Sequence, residues 1–329
     1  MKIGFLGGGS WGTALGIMLY EKNNDVYIWE IDKERVERVN KIREIEEFLP
    51  GIKIPEGIVY SNDMEKVIEE ADIIVLAVPS HALRSVISNL PSSYKPKRLC
   101  VSVIKGIEVE TKKRMSEIWK EFFDVPIAVI SGPSIAREVV RKMPTSVVCA
   151  SEIKEIAVEV QHIFSAPYFR IYTSDDVIGV ELGGALKNII AIAAGISDGL
   201  GFLTNTKGAI LTRGMVEITR LGVAMGAKKE TFAGLSGMGD MITTSFSENS
   251  RNRYVGYWLG KGKKIDEILK GMRMIAEGVR TSKAAVELAK NNGVEIPITE
   301  SVYRIIYEGS HPKDEMKRLL SRPLKDEIW

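Results

Sequence analysis

The 329-residue chain has only two cysteines, Cys100 and Cys149, each inside an apolar, β-like run. No disulfide framework is expected; both read as small hydrophobes in a reducing compartment. Histidine is almost as scarce, with His81, His162 and His311 alone. His162 lies in a charged helical stretch, His311 precedes Pro312, and His81 follows "VPS" after a strong strand. None has a carboxylate partner evident in the sequence, so a histidine base is not the first expectation. A charge excess of one sign is also missing. With 45 basic and 43 acidic residues, the net charge of +2 gives no nucleic-acid footprint. No metal-ligand spacing and no GxSxG elbow occurs. No basic segment precedes an apolar one at the start, so no signal peptide is expected. The most membrane-like window, 177–195, is interrupted by Glu181, Lys187 and Asn188. Such residues are costly in hydrocarbon, so the window reads as a buried core helix. The expectation is a cytoplasmic protein with no membrane span and no nucleic-acid partner.

What the chain does have is length for two domains and a pattern that changes once. Apolar runs at 2–6, 25–30, 72–78, 99–103, 127–130, 146–150 and 169–173 read as strands, with helical stretches between most of them. Asn62 with Glu65 reads as a capping box opening a helix to Glu70. Alternation of this kind predicts a mostly parallel, doubly wound α/β sheet of Rossmann type. The run 72–78 is continuously apolar, as expected where helices cover both faces. Beyond 175 no convincing strand follows. Segments 177–196, 208–225, 264–270, 281–291 and 299–307 have helical spacing. The expected division is 1–175 as a dinucleotide-binding domain and 176–329 as an all-α substrate and catalytic domain.

The glycines of "GGGSWG" sit at the joint between the first strand and the first helix. Gly7, Gly9 and Gly12 form a GxGxxG spacing, and Glu30 and Asp32 follow about 20 residues on, at the end of the second strand. Gly7 suits the tight turn, Gly9 lets backbone approach a pyrophosphate, and Gly12 lets helix and strand pack closely. The helix start then offers free N–H groups and a positive dipole end. A glycine-rich turn without ligand is the plainer reading of the same residues. Glu30 at the second strand's end can bind both ribose hydroxyls and repels a 2′-phosphate, favouring NAD over NADP; Lys33 and Arg35 lie near enough to offset it.

Two lysines stand out. Lys187 shares a helix face with Gly183, Gly184, Ile190, Ala191 and Ala194. A lysine on a small, apolar face is desolvated, its pKa falls, and it becomes a usable proton carrier. The other fate of such a lysine is to snorkel out of the helix. Lys105 ends the strand of "LCVSVIKG", where an open parallel sheet binds ligands; an ordinary loop lysine is the other reading. "SGPS" at 131–134 follows a strand and faces the same crevice. Asp240 closes the glycine-rich loop "GLSGMGD". "SRNR" at 250–253 combines Ser250, Arg251 and Asn252, donors that suit phosphate, or else forms a solvated basic turn.

Taken together, "GGGSWGTALG", "VPSHALR", "KGIE", "SGPSIAREV", "ELGGALKNIIAIAAGISDGLG", "LTRGMVE", "GLSGMGD", "SENSRNR", "AEGVRTSK" and "IPITESVY" resemble the bacterial type of NAD(P)-dependent glycerol-3-phosphate dehydrogenase. The resemblance runs nearly end to end. It implies interconversion of sn-glycerol 3-phosphate and dihydroxyacetone phosphate, supply of glycerol 3-phosphate for phospholipid synthesis, NAD or NADP as cofactor, and a homodimer. Lys187 would exchange the C2 hydroxyl proton and Lys105 would hold the substrate oxygen. Gly132 and Ser134 would contact substrate, with Ala136 nearer the cofactor. Asp240 and Asn188 would support the lysine and the hydroxyls. Ser250, Arg251 and Asn252 would grip the phosphate, Arg251 also reaching the cofactor. Ser10, Trp11, Ile31, Lys105, Ile275 and Glu277 would complete the cofactor site. The chain departs from the family pattern at Ile135, Arg137, and Glu30 with Ile31. A related hydroxyacid or sugar-acid dehydrogenase is the alternative enzyme. A cofactor sensor without turnover is the alternative of another class, though a sensor has no use for a proton-carrying lysine.

Overall fold

The computed structural model describes residues 1–272, 274–324 and 326–327. The chain alternates strand and helix through its first half: β1 (Lys2–Leu6), α1 (Ser10–Glu21), β2 (Asp25–Trp29), α2 (Lys33–Ile42), β3 (Val59–Ser61), α3 (Met64–Glu70), β4 (Ile73–Leu76), α4 (Leu83–Ser88), β5 (Leu99–Ser102), α5 (Met115–Phe122), β6 (Ile127–Ser131), α6 (Ala136–Val140), β7 (Thr145–Ala150), α7 (Lys154–Phe164) and β8 (Phe169–Ser174). From there it is helical: α8 (Val177–Gly199), α9 (Thr204–Ala224), α10 (Lys229–Phe232), α11 (Asp240–Phe246), α12 (Arg251–Gly260), α13 (Ile265–Lys270), α14 (Glu277–Asn291), α15 (Pro297–Tyr307) and α16 (Pro312–Leu320).

The eight strands form one sheet in the order β3-β2-β1-β4-β5-β6-β7-β8. Every pairing is parallel except β6 with β7. Strand order reverses between β1 and β4, which opens a crevice at their carboxyl ends. β4 and β5 are buried along their whole length, which is why their sequences run apolar without alternation.

α8 is the axis of the second half. It is long and apolar enough to span a membrane, but it lies buried, packed by α9, α11, α12 and α14. Small residues make this possible: a Cβ on Gly195 would overlap the Arg253 carbonyl oxygen, and one on Gly256 that of Ile192. The α8 and α12 backbones therefore touch, and the start of α12 comes level with the middle of α8.

Several expectations are corrected, and the alternative reading of one segment is set aside. Asn62 and Glu65 do not cap α3. Asp63 does, accepting the Lys66 N–H at 3.2 Å, while the Asn62 carbonyl accepts from Trp29 Nε1. "GLSGMGD" is not an open loop but a π-helical turn, Leu235–Gly239, running into α11. "SRNR" is not a turn but the start of α12, with the Ser250 side chain accepting the Arg253 N–H. Helix starts at Thr204, Glu277 and Pro297 precede the expected ones.

Candidate active site

The cofactor side is made of backbone. Gly7 has φ +123°, and a Cβ there would lie 2.6 Å from the Ala77 carbonyl carbon, so β1 and β4 meet too closely for any side chain. A Cβ on Gly12 would overlap the Gly7 carbonyl oxygen, which seats α1 directly on the loop. Gly9 differs: its Cβ direction is open, with no atom within 4 Å. The Ser10, Trp11 and Gly12 N–H groups open α1 and have no intrahelical partners. This open glycine before a helix start is the cradle that a pyrophosphate requires, and the residues fit a dinucleotide. Tyr60 of β3 fixes the loop from beneath, donating to the Gly8 carbonyl at 2.8 Å and lying 2.5 Å from the Thr13 hydroxyl.

Glu30 is buried at the end of β2 and pairs with Arg35 at 3.1 Å. Arg35 also pairs with Asp32 and Glu47 and lies over the Phe48 ring. Ile31 is exposed beside them. Trp11 packs its indole toward Phe169 of β8, with centroids 6.3 Å apart. Ala136 opens α6, and Ile275 is exposed just before α14. The Glu277 carboxylate accepts from Ser80, N–H at 3.0 Å and hydroxyl at 2.5 Å. Ser80 joins the cleft without having been singled out from the sequence.

The other side is made of side chains. On α8, a Cβ on Gly184 would overlap Ser131 Oγ, and one on Gly183 would lie 2.9 Å from the Ser236 carbonyl oxygen. The glycine pair thus lets the end of β6 close on one flank and the π-helical turn on the other. That closure brings three charges together. Asp240 Oδ1 lies 3.0 Å from Lys187 Nζ, and Asp240 Oδ2 lies 2.8 Å from Lys105 Nζ. Lys105 also donates to the Gly132 carbonyl at 2.8 Å and to Ser134 Oγ at 3.1 Å. Lys187 donates to Thr244 Oγ1 at 2.5 Å, and Thr244 donates to Asp240 Oδ1 at 3.2 Å. Thr244 went unnoticed in the sequence. Its signal is the four-residue step from Asp240, visible only once 240–246 is known to be helical.

Burial pushes the Lys187 amine down, Asp240 pulls it back up, and the Lys105 and Arg251 charges oppose that; the result is about 8. Burial raises the Asp240 carboxyl, but the two ammonium groups outweigh it and hold it below its usual value. A buried amine that titrates near neutrality, held by an ionised carboxylate, can carry a proton in either direction.

Asn188 is buried beside Lys187 and donates to the Lys105 and Gly184 carbonyls, both at 3.3 Å. Asn252, expected at a phosphate, is also buried. Its Nδ2 donates to Asn188 Oδ1 at 2.8 Å, and its Oδ1 accepts the Gly278 N–H at 2.9 Å. Arg251 is exposed at the first position of α12 and makes no hydrogen bond or ion pair among the described residues. The histidines stay out of the cluster; His311 caps α16.

The arrangement matches known proteins over nearly its whole length. The family model for the NAD-dependent glycerol-3-phosphate dehydrogenase N-terminus matches residues 2–157, and that for the C-terminus residues 176–317. The glycerol-3-phosphate dehydrogenase [NAD(P)+] of Clostridium botulinum (strain Alaska E43 / Type E3) is 46% identical, covering 100% of this chain and 99% of its own. That of Geobacillus kaustophilus (strain HTA426) is 48% identical, covering 99% and 96%. The crystal structure of glycerol-3-phosphate dehydrogenase from Coxiella burnetii superposes with a TM-score of 0.93 at 36% identity, over 97% of this chain and 98% of that one. A glycine cradle, a lysine pair on one carboxylate and these full-length matches lead to one statement: the chain belongs to the NAD-dependent glycerol-3-phosphate dehydrogenase family.

Proposed function

We propose that the chain interconverts sn-glycerol 3-phosphate and dihydroxyacetone phosphate, with residues 1–175 holding NAD or NADP and residues 176–329 carrying the substrate and the proton chemistry. The observation that carries this is Asp240 bonded to both Lys105 and Lys187. In the oxidative direction the Lys187 amine takes the C2 hydroxyl proton. A nicotinamide dinucleotide held by the Gly7–Gly12 loop would supply the acceptor for the hydride lost from C2. The C2–O bond becomes a carbonyl, and Lys105 donates to that oxygen while negative charge develops on it. In reverse, the Lys187 ammonium returns the proton. Asp240 keeps both lysines in place, and Thr244 orients the Lys187 amine.

Arg251 receives the substrate phosphate, together with the Ser250 hydroxyl and the first N–H groups of α12. Three facts support this: the guanidinium is exposed and unpaired among the described residues, it lies at a helix start, and two lysines sharing one carboxylate leave the cleft positive. Phosphate binding fixes C2 in the cleft before chemistry begins. The proposed setting is a cytoplasmic homodimer supplying glycerol 3-phosphate for phospholipid synthesis. The two buried, unpaired cysteines suit a reducing compartment.

The test is oxidation of NADH and of NADPH with dihydroxyacetone phosphate, dihydroxyacetone and a set of 2-oxo acids as acceptors. Turnover concentrated on the phosphorylated ketone is expected. Comparable turnover with unphosphorylated acceptors would give the chain to the hydroxyacid or sugar-acid enzymes instead.

A further inference from the structure

We infer that the end of β2 selects NAD(H) over NADP(H), with Glu30 as the residue that receives the ribose hydroxyls and turns away a 2′-phosphate. The inference rests on the reading of residues 1–175 as the dinucleotide-binding half, and narrows it. Its first basis is where Glu30 stands. The side chain is buried at the carboxyl end of β2, and a Cβ on Gly8 would lie 3.0 Å from the Glu30 Cβ, so the carboxylate sits directly against the glycine loop. Glu30 Oε1 accepts the Asp32 N–H at 3.1 Å and pairs with Arg35 Nη1, also at 3.1 Å. Oε2 accepts no hydrogen bond among the described residues, which leaves it to meet a hydroxyl donor. A carboxylate at this point of a βαβ unit binds both hydroxyls of a ribose, and a phosphate on one of them would face its charge.

The second basis is what has become of the cations. Arg35 is near enough in sequence to offset Glu30, but in the fold each of its three guanidinium nitrogens is taken by a different carboxylate: Nη1 by Glu30, Nε by Glu47 at 3.2 Å and Nη2 by Asp32 at 3.4 Å. The Phe48 ring lies against the guanidinium, 4.8 Å from its carbon to the centroid, and fixes the plane of the fork. Arg38 is drawn to the same Glu47, at 2.9 Å. Three carboxylates against two guanidiniums leave this corner one charge negative, and Lys33 and Glu34, the exposed pair that follows, add one of each sign. The start of α2 gives no anion site either, because the Asp32 side chain caps it and accepts the Arg35 N–H at 3.0 Å. Beside Glu30 the chain turns outward an apolar side chain, Ile31, 76% exposed and without a donor to offer. A 2′-phosphate would bring up to two further negative charges to a corner that is already negative and whose arginines are spent.

The test is equilibrium binding, independent of turnover. The full chain is titrated with NADH and with NADPH, following nucleotide fluorescence. NADPH should bind at least about tenfold more weakly than NADH; a smaller difference, or a preference for NADPH, overturns the inference. Glu30→Gln keeps the shape of the side chain and removes its charge. It should tighten NADPH and weaken NADH, so that the ratio of the two dissociation constants shrinks by about tenfold or more. Opposite movements of two affinities in one variant cannot come from a merely damaged fold, and an unmoved ratio overturns the assignment to Glu30. Ile31→Arg changes an exposed position and keeps the question open to measurement if Glu30→Gln does not fold: NADPH should bind at least about threefold tighter with NADH unchanged, and no change there also counts against the inference. Reduction of dihydroxyacetone phosphate is followed separately. Tight and selective NADH binding without turnover would remove the proposed reaction and leave this inference standing, whereas equal binding of the two dinucleotides with full turnover would do the reverse.

Discussion

The two walls of the cleft are built on opposite principles. From Gly7 to Gly12 the wall works by what is missing: side chains are absent so that backbone can turn, pack and face a ligand. Around α8 the wall works by what is present: Lys187, Lys105, Asp240, Asn188 and Asn252 fill a buried space and bond to one another. The first wall is local, a strand, a turn and a helix in one short segment. The second collects groups from β5's end, α8, α11 and α12. Adding atoms should damage the first wall, and removing them should damage the second.

Removing the Lys187 amine is the severest form of that contrast. Lys187→Ala should lower kcat about 10²- to 10⁴-fold in both directions, the usual share of acid–base catalysis, while leaving cofactor affinity close to its starting value. Fluorescence titration with NADH and steady-state kinetics check the two halves. The pH profile sharpens it. Oxidation of glycerol 3-phosphate needs the neutral amine, so its rate should rise with pH through about 8; reduction of dihydroxyacetone phosphate needs the ammonium and should fall above the same value. A Lys187→Ala enzyme that turned over normally would leave the side-chain wall without its proton carrier.

Arg251→Ala comes next in size. The guanidinium makes no hydrogen bond or ion pair among the described residues, so its loss orphans nothing within the protein and the melting temperature should hold. KM for dihydroxyacetone phosphate should rise about ten- to a hundredfold, the range of a charge-assisted hydrogen bond. Activity on dihydroxyacetone should be unchanged. An unaltered KM for the phosphorylated ketone would place the phosphate elsewhere in the cleft.

The same contrast governs what could be read before the structure. The glycine wall is legible because its three glycines keep a fixed spacing between one strand and one helix. Lys105, Lys187 and Asp240 drew attention singly, by strand-end position, helix face and loop. Only the family resemblance joined them, because no spacing relates residues that meet through packing of β5, α8 and α11. Thr244 was missed for a related reason: 234–240 read as a glycine loop, so helical spacing was not carried past Asp240. β3 is three residues long, too short for periodicity, and with it went Tyr60, which props the glycine loop. The amide partners of Asn252 lie on α8 and α14, so its hydrogen bonds, unlike its place beside Arg251, could not be read from the sequence.

Two single-methyl additions probe the glycine wall and carry the smallest effect. Gly9 has φ −74° and ψ −174°, a conformation open to any residue, and its Cβ direction is empty. Gly9→Ala should therefore fold with an unchanged melting temperature and lose cofactor affinity alone, by about tenfold, as the methyl occupies space meant for the ligand. Gly12→Ala is the opposite case. Its methyl would overlap the Gly7 carbonyl oxygen, an atom of the backbone that cannot swing aside. The loop must shift, at a loss of about 1–3 kcal/mol in stability, and the melting temperature should fall by a few degrees. Thermal unfolding without cofactor separates the two, because one substitution acts on the folded chain and the other only on what it binds. If Gly9→Ala melted as early as Gly12→Ala, or bound NADH as well as the parent enzyme, the space before α1 would be part of the packing and not a place kept for phosphate.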